Sequence, residues 1–149
     1  MARRPGRSRG NKSKAELLGN VRLFSSCTNR ELGRIASLVD EVDAPKGKVI
    51  VRQGEPGREC FVIRDGRAKA SVRGKGSVKL GPGSFFGEMS LLDGGPRSAT
   101  VTAETDMRLL VLGSREFSSL VNEVPNVAVR MMRGLAERLR SAERRQPQH

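Results

Sequence analysis

Tryptophan and tyrosine are absent from this chain, histidine occurs once, as the last residue, and cysteine occurs twice. The aromatic content is five phenylalanines (Phe24, Phe61, Phe85, Phe86 and Phe117), so the core must be aliphatic and no ligand can be stacked on indole or phenol. A single histidine cannot supply the clustered His and carboxylate ligands of a barrel metalloenzyme. It also leaves the cysteines without an imidazole partner for nucleophilic work. No enzyme and no metal are therefore expected. Cys27 and Cys60 lie far apart in the sequence with no apolar leader ahead of them, and are expected to be buried free thiols in a cytoplasmic protein. No run approaches the ~20 apolar residues of a membrane span.

What the chain has in excess is positive charge, a net +12 over 149 residues. The excess is uneven. Residues 1–14 carry six bases and no acid, and residues 130–149 carry six bases against Glu137 and Glu143, which leaves the middle at only +2. Basicity of this kind suits nucleic acid or an acidic partner. Here it belongs to the ends, and no aromatics are interleaved for base stacking. Arginine outnumbers lysine 21 to 7, a composition that suggests a high-GC bacterial source.

The length is that of one domain. Residues 1–14 form a basic tail too polar to offset the entropy of ordering, and 146–149 form a second short tail. From Ala15, Leu17, Leu18 and Val21 fall at helical spacing. Thr28 with Glu31 makes a capping box that opens a helix with Leu32, Ile35, Ala36 and Val39 on one face. Helices are thus expected over 15–43. Between Pro45 and Leu112 short Val/Ile/Leu/Phe runs alternate with glycine-rich turns, the pattern of an all-β sandwich or barrel over 45–112. Asp65-Gly66 reads as a hairpin turn. Helices return over 114–145, the first capped by Ser114 and broken by Pro125. On the second, Ala128, Met132, Leu135, Leu139 and Ala142 form a heptad seam two repeats long.

The stretch Phe86-Gly87-Glu88-Met89-Ser90-Leu91-Leu92 through Arg97-Ser98-Ala99 places one carboxylate and one guanidinium on either side of a short loop. A ribose diol calls for an acceptor such as Glu88, and a phosphate prefers a planar multi-donor fork such as Arg97 together with free backbone N–H groups. A cyclic mononucleotide offers both at this separation. The same residues resemble the phosphate-binding cassette of cyclic-nucleotide-binding domains. Ile50-Val51, Gly54-Glu55, Gly57, the run Cys60-Phe61-Val62-Ile63 and Gly66 resemble the upstream half of that family. Only Cys60 departs from it, standing where a larger aliphatic residue is usual. The likeness extends over roughly Leu17 to Glu143.

The resemblance implies an α+β, mainly β fold: an eight-stranded antiparallel jelly-roll β-barrel flanked by N-terminal and C-terminal helices. It implies a ligand site at Gly87, Glu88, Met89, Ser90, Arg97, Ser98 and Ala99, with Glu88 on the ribose 2′-hydroxyl, Arg97 on an exocyclic phosphate oxygen, and backbone N–H groups at Ser90 and Ser98 closing the cage. Leu135, Arg138, Leu139 and Ala142 are candidates for a lid over the purine, and the residues do not choose among them. The expected ligand is cAMP in preference to cGMP, and the expected role is a sensor whose last helix moves on binding and signals to a protein effector. The chain would be a monomer or a weak homodimer through that helix. The alternative is a nucleic-acid or acidic-partner protein working through its basic termini with the barrel as scaffold.

Overall fold

The computed structural model of the chain describes residues 13–21 and 24–145; of the predicted tails at 1–14 and 146–149, residues 1–12 and 146–149 lie outside the described residues, while Ser13 and Lys14 belong to the start of the first helix. Helix α1 (Lys14–Gly19) starts one residue earlier than Ala15 because Ser13 and Glu16 form a capping box, the Ser13 hydroxyl accepting from Glu16 N at 3.1 Å and the Glu16 carboxylate from Ser13 N at 3.0 Å. Helix α2 (Asn29–Ala36) opens on the expected Thr28–Glu31 box, with the reciprocal bonds at 2.9 and 3.1 Å.

The expected helical continuation to Asp43 does not form. Residues Asp40–Ala44 are instead strand β1, paired antiparallel with β8 (Met107–Gly113), Val42 opposite Leu109 and Ala44 opposite Met107. A few apolar residues at helical spacing are a weak preference. Joining a ladder satisfies five residues' worth of backbone and lets Arg108 reach Glu41 at 3.3 Å and Asp43 at 2.9 Å. The β region therefore begins at Asp40 rather than Pro45.

The remaining strands are β2 (Val49–Val51), β3 (Glu59–Asp65), β4 (Ala68–Val72), β5 (Gly76–Leu80), β6 (Phe85–Phe86) and β7 (Thr100–Ala103). They give the expected eight, arranged as two four-stranded antiparallel sheets, ordered β1-β8-β3-β6 and β2-β7-β4-β5. The barrel is thus two sheets packed face to face. Asp65-Gly66 is not a hairpin: β3 and β4 belong to different sheets, and the turn hands the chain from one to the other, held by Arg67 N donating to Thr105 Oγ1 at 3.0 Å. Short helix α3 (Glu88–Asp93) is inserted between β6 and β7. Helix α4 (Ser114–Glu123) takes Gly113, not Ser114, as its N-cap, with no side-chain cap bond. Pro125 ends it as expected and becomes the first residue of α5 (Pro125–Arg145), a position that tolerates a missing N–H.

Two apolar clusters hold these layers. Phe61, Ile63, Leu109 and Met107 of the first sheet meet Ala68, Val101 and Ala103 of the second. On the opposite face of the first sheet, Cys60, Val62, Leu110 and Leu112 meet Leu18, Val21, Phe24, Ile35, Leu120 and Val127 from the helices, along with Leu91 of α3. The alternation of these two sets along β3 and β8 is the period-two pattern of a strand buried on both faces. Ion pairs tie α2 to the C-terminal pair, Arg34 to Glu123 and Arg130 to Glu31, the second at 3.5 Å.

Candidate functional site

Gly87 turns the chain out of β6 with φ +88°, a left-handed conformation that costs any L side chain about 1–2 kcal/mol, and serves as the N-cap of α3. The first intrahelical bond runs from Leu91 N to Gly87 O at 3.1 Å, so the amides of Glu88, Met89 and Ser90 lie ahead of the ladder at the positive end of the helix. Gly94, also left-handed, closes the helix with its N–H on Ser90 O at 2.7 Å. The chain then runs through Pro96 and Arg97 into β7 of the other sheet. The cassette therefore lies where the two sheets part.

Arg97 is held in a slot. Its Nη1 donates to the Glu59 carbonyl at 2.8 Å and its Nη2 pairs with the Glu59 carboxylate at 3.1 Å. The Phe61 ring, stacked on Phe86 with centroids 4.9 Å apart, lies 5.6 Å below the guanidinium carbon. Two glycines form the walls. A Cβ at Gly57 would overlap the Arg97 guanidinium outright, and one at Gly87 would stand 2.6 Å from Glu59 O and 2.8 Å from Arg97 Nη1. The Arg97 backbone is fastened as well: its N–H donates to Glu55 O and its carbonyl accepts from Gly54 N, both at 2.9 Å. The Gly54-Glu55 and Gly57 positions of the upstream motif thus build the seat of an arginine some forty residues later.

Glu88, Ser90 and Arg97 are buried, with 5%, 4% and 6% of their surface exposed, and among the described residues only Glu31 joins them as a buried polar side chain. Burying charge is costly unless the group is paired or poised for a ligand, so Glu88 and Arg97, with Ser90 beside them, mark a candidate site. They line a cavity of about 110 Å³ together with Gly87, Met89, Ser98 and Ala99, and with Val51, Phe86, Pro96 and Val101 as its apolar walls. Every cassette residue singled out from the sequence is in that lining. Met89 and Ser98 stand exposed at its rim.

The lid candidates fare differently. All four fall on α5, and Leu139, the one whose side chain is described, does not line the cavity. Leu139 is 65% exposed, while the side chains of Leu135, Arg138 and Ala142 lie outside the described residues. Glu59 and Phe61, which hold and underlie the guanidinium, escaped the sequence reading because an ion pair spanning 38 residues leaves no local signal. Cys60 is a buried free thiol, as expected, and burial pushes it up to about 12 against a weaker downward pull from Arg97. Cys27 is free but only half-buried, because the segment before α2 leaves it at the surface of the helical cluster; burial raises it to about 11, with Glu31 adding to the rise. Burial thus disfavours the thiolate form at both cysteines.

Among the described residues no group of three or more His, Cys, Asp or Glu side chains could hold a metal ion, and no helix is long and apolar enough to cross a membrane. A cyclic nucleotide-gated potassium channel of Mesorhizobium japonicum is 42% identical over 113 residues, which is 76% of this chain and 31% of that protein. The cAMP-dependent protein kinase regulatory subunit of Emericella nidulans is 36% identical over 112 residues, 74% of this chain and 27% of that one. The solved N-terminal domain of a transcriptional regulator from Streptomyces coelicolor matches with a TM-score of 0.75 at 31% identity, covering 86% of this chain and 92% of that one. The chain spans about a third or less of the two curated relatives, so what is shared with them is a domain. Residues 41–124, which include every residue lining the cavity, match the cyclic nucleotide-binding domain family, and the chain belongs to that family.

Proposed function

We propose that the cavity takes a cyclic nucleotide, cAMP in preference to cGMP, and that its occupancy repositions α5 to signal to a protein effector. The observation that carries this reading is the burial of Glu88 and Arg97 on one cavity, with the α3 amides beside them. Glu88 accepts from the ribose 2′-hydroxyl. Arg97 has used two of its five N–H donors on Glu59 and offers the phosphate others, while amides at Ser90 and Ser98 complete the cage. A phosphate also competes with the half-exposed Glu59 carboxylate for the same cation, so the measured affinity includes loosening that pair. The preference for cAMP is supported by the kinase regulatory subunit, whose name carries that nucleotide. Competition titration of the two nucleotides tests it: cGMP binding as tightly as cAMP would remove the preference, and neither binding would remove the ligand assignment.

The link to α5 rests on packing. Leu91 of the cassette helix belongs to the same apolar cluster as Leu120 of α4 and Val127 of α5, so a shift of α3 is felt at the root of the last helix. Beyond that root, Val129, Met132 and Leu139 are exposed, an apolar surface that a lid closing on the purine would cover, or a second copy of the helix in a weak dimer. Saturating cAMP is expected to shift the amide resonances of residues 126–145; a helix unmoved by saturating ligand ends the switch reading and leaves binding intact. Sedimentation with and without ligand separates lid from dimer. The alternative of nucleic acid held by the basic termini finds no aromatic interleaved among the arginines of α5 on which a base could stack.

A further inference from the structure

The two sheets differ in a way the ligand site does not use. All five acidic residues found in strands, Asp40, Glu41, Asp43, Glu59 and Asp65, belong to β1 and β3 of the first sheet; β2, β4, β5 and β7 of the second contain none. In the second sheet Ala68, Ala70, Leu80, Val101 and Ala103 face the core, so the residues of opposite parity form an outer face open to solvent. The register sets Thr102 beside Lys69 and Lys69 directly opposite Lys79. The next row is Thr100, Ser71 and Ser77, and the turn beyond is Arg73-Gly74-Lys75. The face is therefore hydroxylated and cationic. Like charges directly opposite on a sheet repel at about 5 Å. Glu104 relieves only one of them, lying 3.2 Å from a Lys79 side chain that remains 72% exposed. Among the described residues no ion pair reaches Lys69, Arg73 or Lys75.

Beside this face runs a free sheet edge. β5 is the last strand of its sheet, and Gly76 to Lys79 are all exposed. An edge strand presents a row of unpaired N–H and C=O groups to which an extended chain can add. We infer that the β5 edge and the Lys69–Lys79 face dock an extended acidic segment of a partner protein, main-chain bonds running along β5 and carboxylates meeting the lysines and the Arg73-Lys75 turn. The chemistry favours this occupant over the other polyanions. A membrane surface calls for exposed apolar side chains to insert, and the outer face carries hydroxyls instead. A single-stranded nucleic acid calls for stacking aromatics, and neither this face nor the turn beside it carries one. A compact ammonium suits a lone carboxylate.

The test uses the full chain and a fluorescein-labelled peptide of alternating Glu and Thr, about ten residues long, followed by fluorescence anisotropy at about 0.15 M salt. K69E/K79E is compared with R3E/R4E, which changes the net charge equally within the tail. Expected is a loss of at least about tenfold in peptide affinity for K69E/K79E and less than about threefold for R3E/R4E. K69Q/K79Q, which introduces no new repulsion with Glu104, should show an intermediate loss with an unchanged melting temperature, separating docking from misfolding. Equal losses in the two Glu variants, or no binding by the wild type, would overturn the inference. So would a 20-base-pair duplex, or vesicles rich in phosphatidylserine, held more tightly than the peptide and released by K69E/K79E.

Discussion

The first sheet is covered on both faces, by helices on one side and by its partner sheet on the other, and β3 and β8 accordingly read as nearly unbroken apolar runs. The second sheet is covered on one face only, and its middle strands β4 and β7 alternate Ala or Val with Ser, Thr and Lys. The difference teaches where charge can live. In the buried sheet, acids are confined to the exposed strand β1 and to the two ends of β3, where Glu59 serves Arg97. In the half-covered sheet the outer face is free to carry cations. The ligand site draws on both: Phe61, Phe86 and Glu59 from the first, Val51 and Val101 from the second.

The sharpest way to break this contrast is one substitution in each sheet. Leu110→Ala, in the middle of β8 with 1% of its surface exposed, should lower unfolding free energy in urea by about 2–5 kcal/mol. Ser71→Ala on the outer face should change it by less than about 0.5 kcal/mol. Comparable losses would mean the second sheet is buried by something beyond this chain. At the junction between the sheets, Arg97→Ala should weaken cAMP by more than about tenfold in calorimetric titration, and Arg97→Lys should not restore it, because a point charge cannot hold both Glu59 oxygens and a phosphate. Gly57→Ala tests the slot without touching any charge: its methyl group takes the space of the guanidinium, so affinity should fall about as far as in Arg97→Ala while the fold survives. Wild-type affinity in that variant would show that Arg97 does not act from this position.

Away from the sheets, Thr28→Ala should cost about 1 kcal/mol through loss of the α2 cap. A further effect concerns pH. Cys60 has its thiol raised from 9.0 to about 12, so its contribution to stability is whole below pH 9.0 and is lost as pH climbs toward 12. Urea unfolding followed upward from pH 9.0 should show this decline, diminished in Cys60→Ala. An equal decline in both proteins would assign it to other groups.

Much of the fold was legible because its signals are local. Thr28 with Glu31 announced α2, and Pro125 the break between α4 and α5. Legibility failed where a distant partner outweighed a local pattern. Residues 40–44 continue an apolar helical spacing, yet β8 and Arg108 draw them into a strand. Asp65-Gly66 carries a hairpin dipeptide, but its flanking strands pair elsewhere. Ser114 is a good cap by type, yet Gly113 reaches the cap position first as β8 runs on to its last residue.

By itself the sequence determined the mainly β class and the cassette residues, because strand periodicity, glycine turns and a carboxylate–guanidinium spacing are written in neighbouring positions; the number of strands came from the family resemblance. Only the tertiary structure decided that the strands part into two sheets, that Glu59 and the Gly57 slot hold Arg97, and that one sheet face is left to cations alone. Each of those depends on which strand lies beside which, and pairing energies between distant residues appear only once the chain has closed on itself.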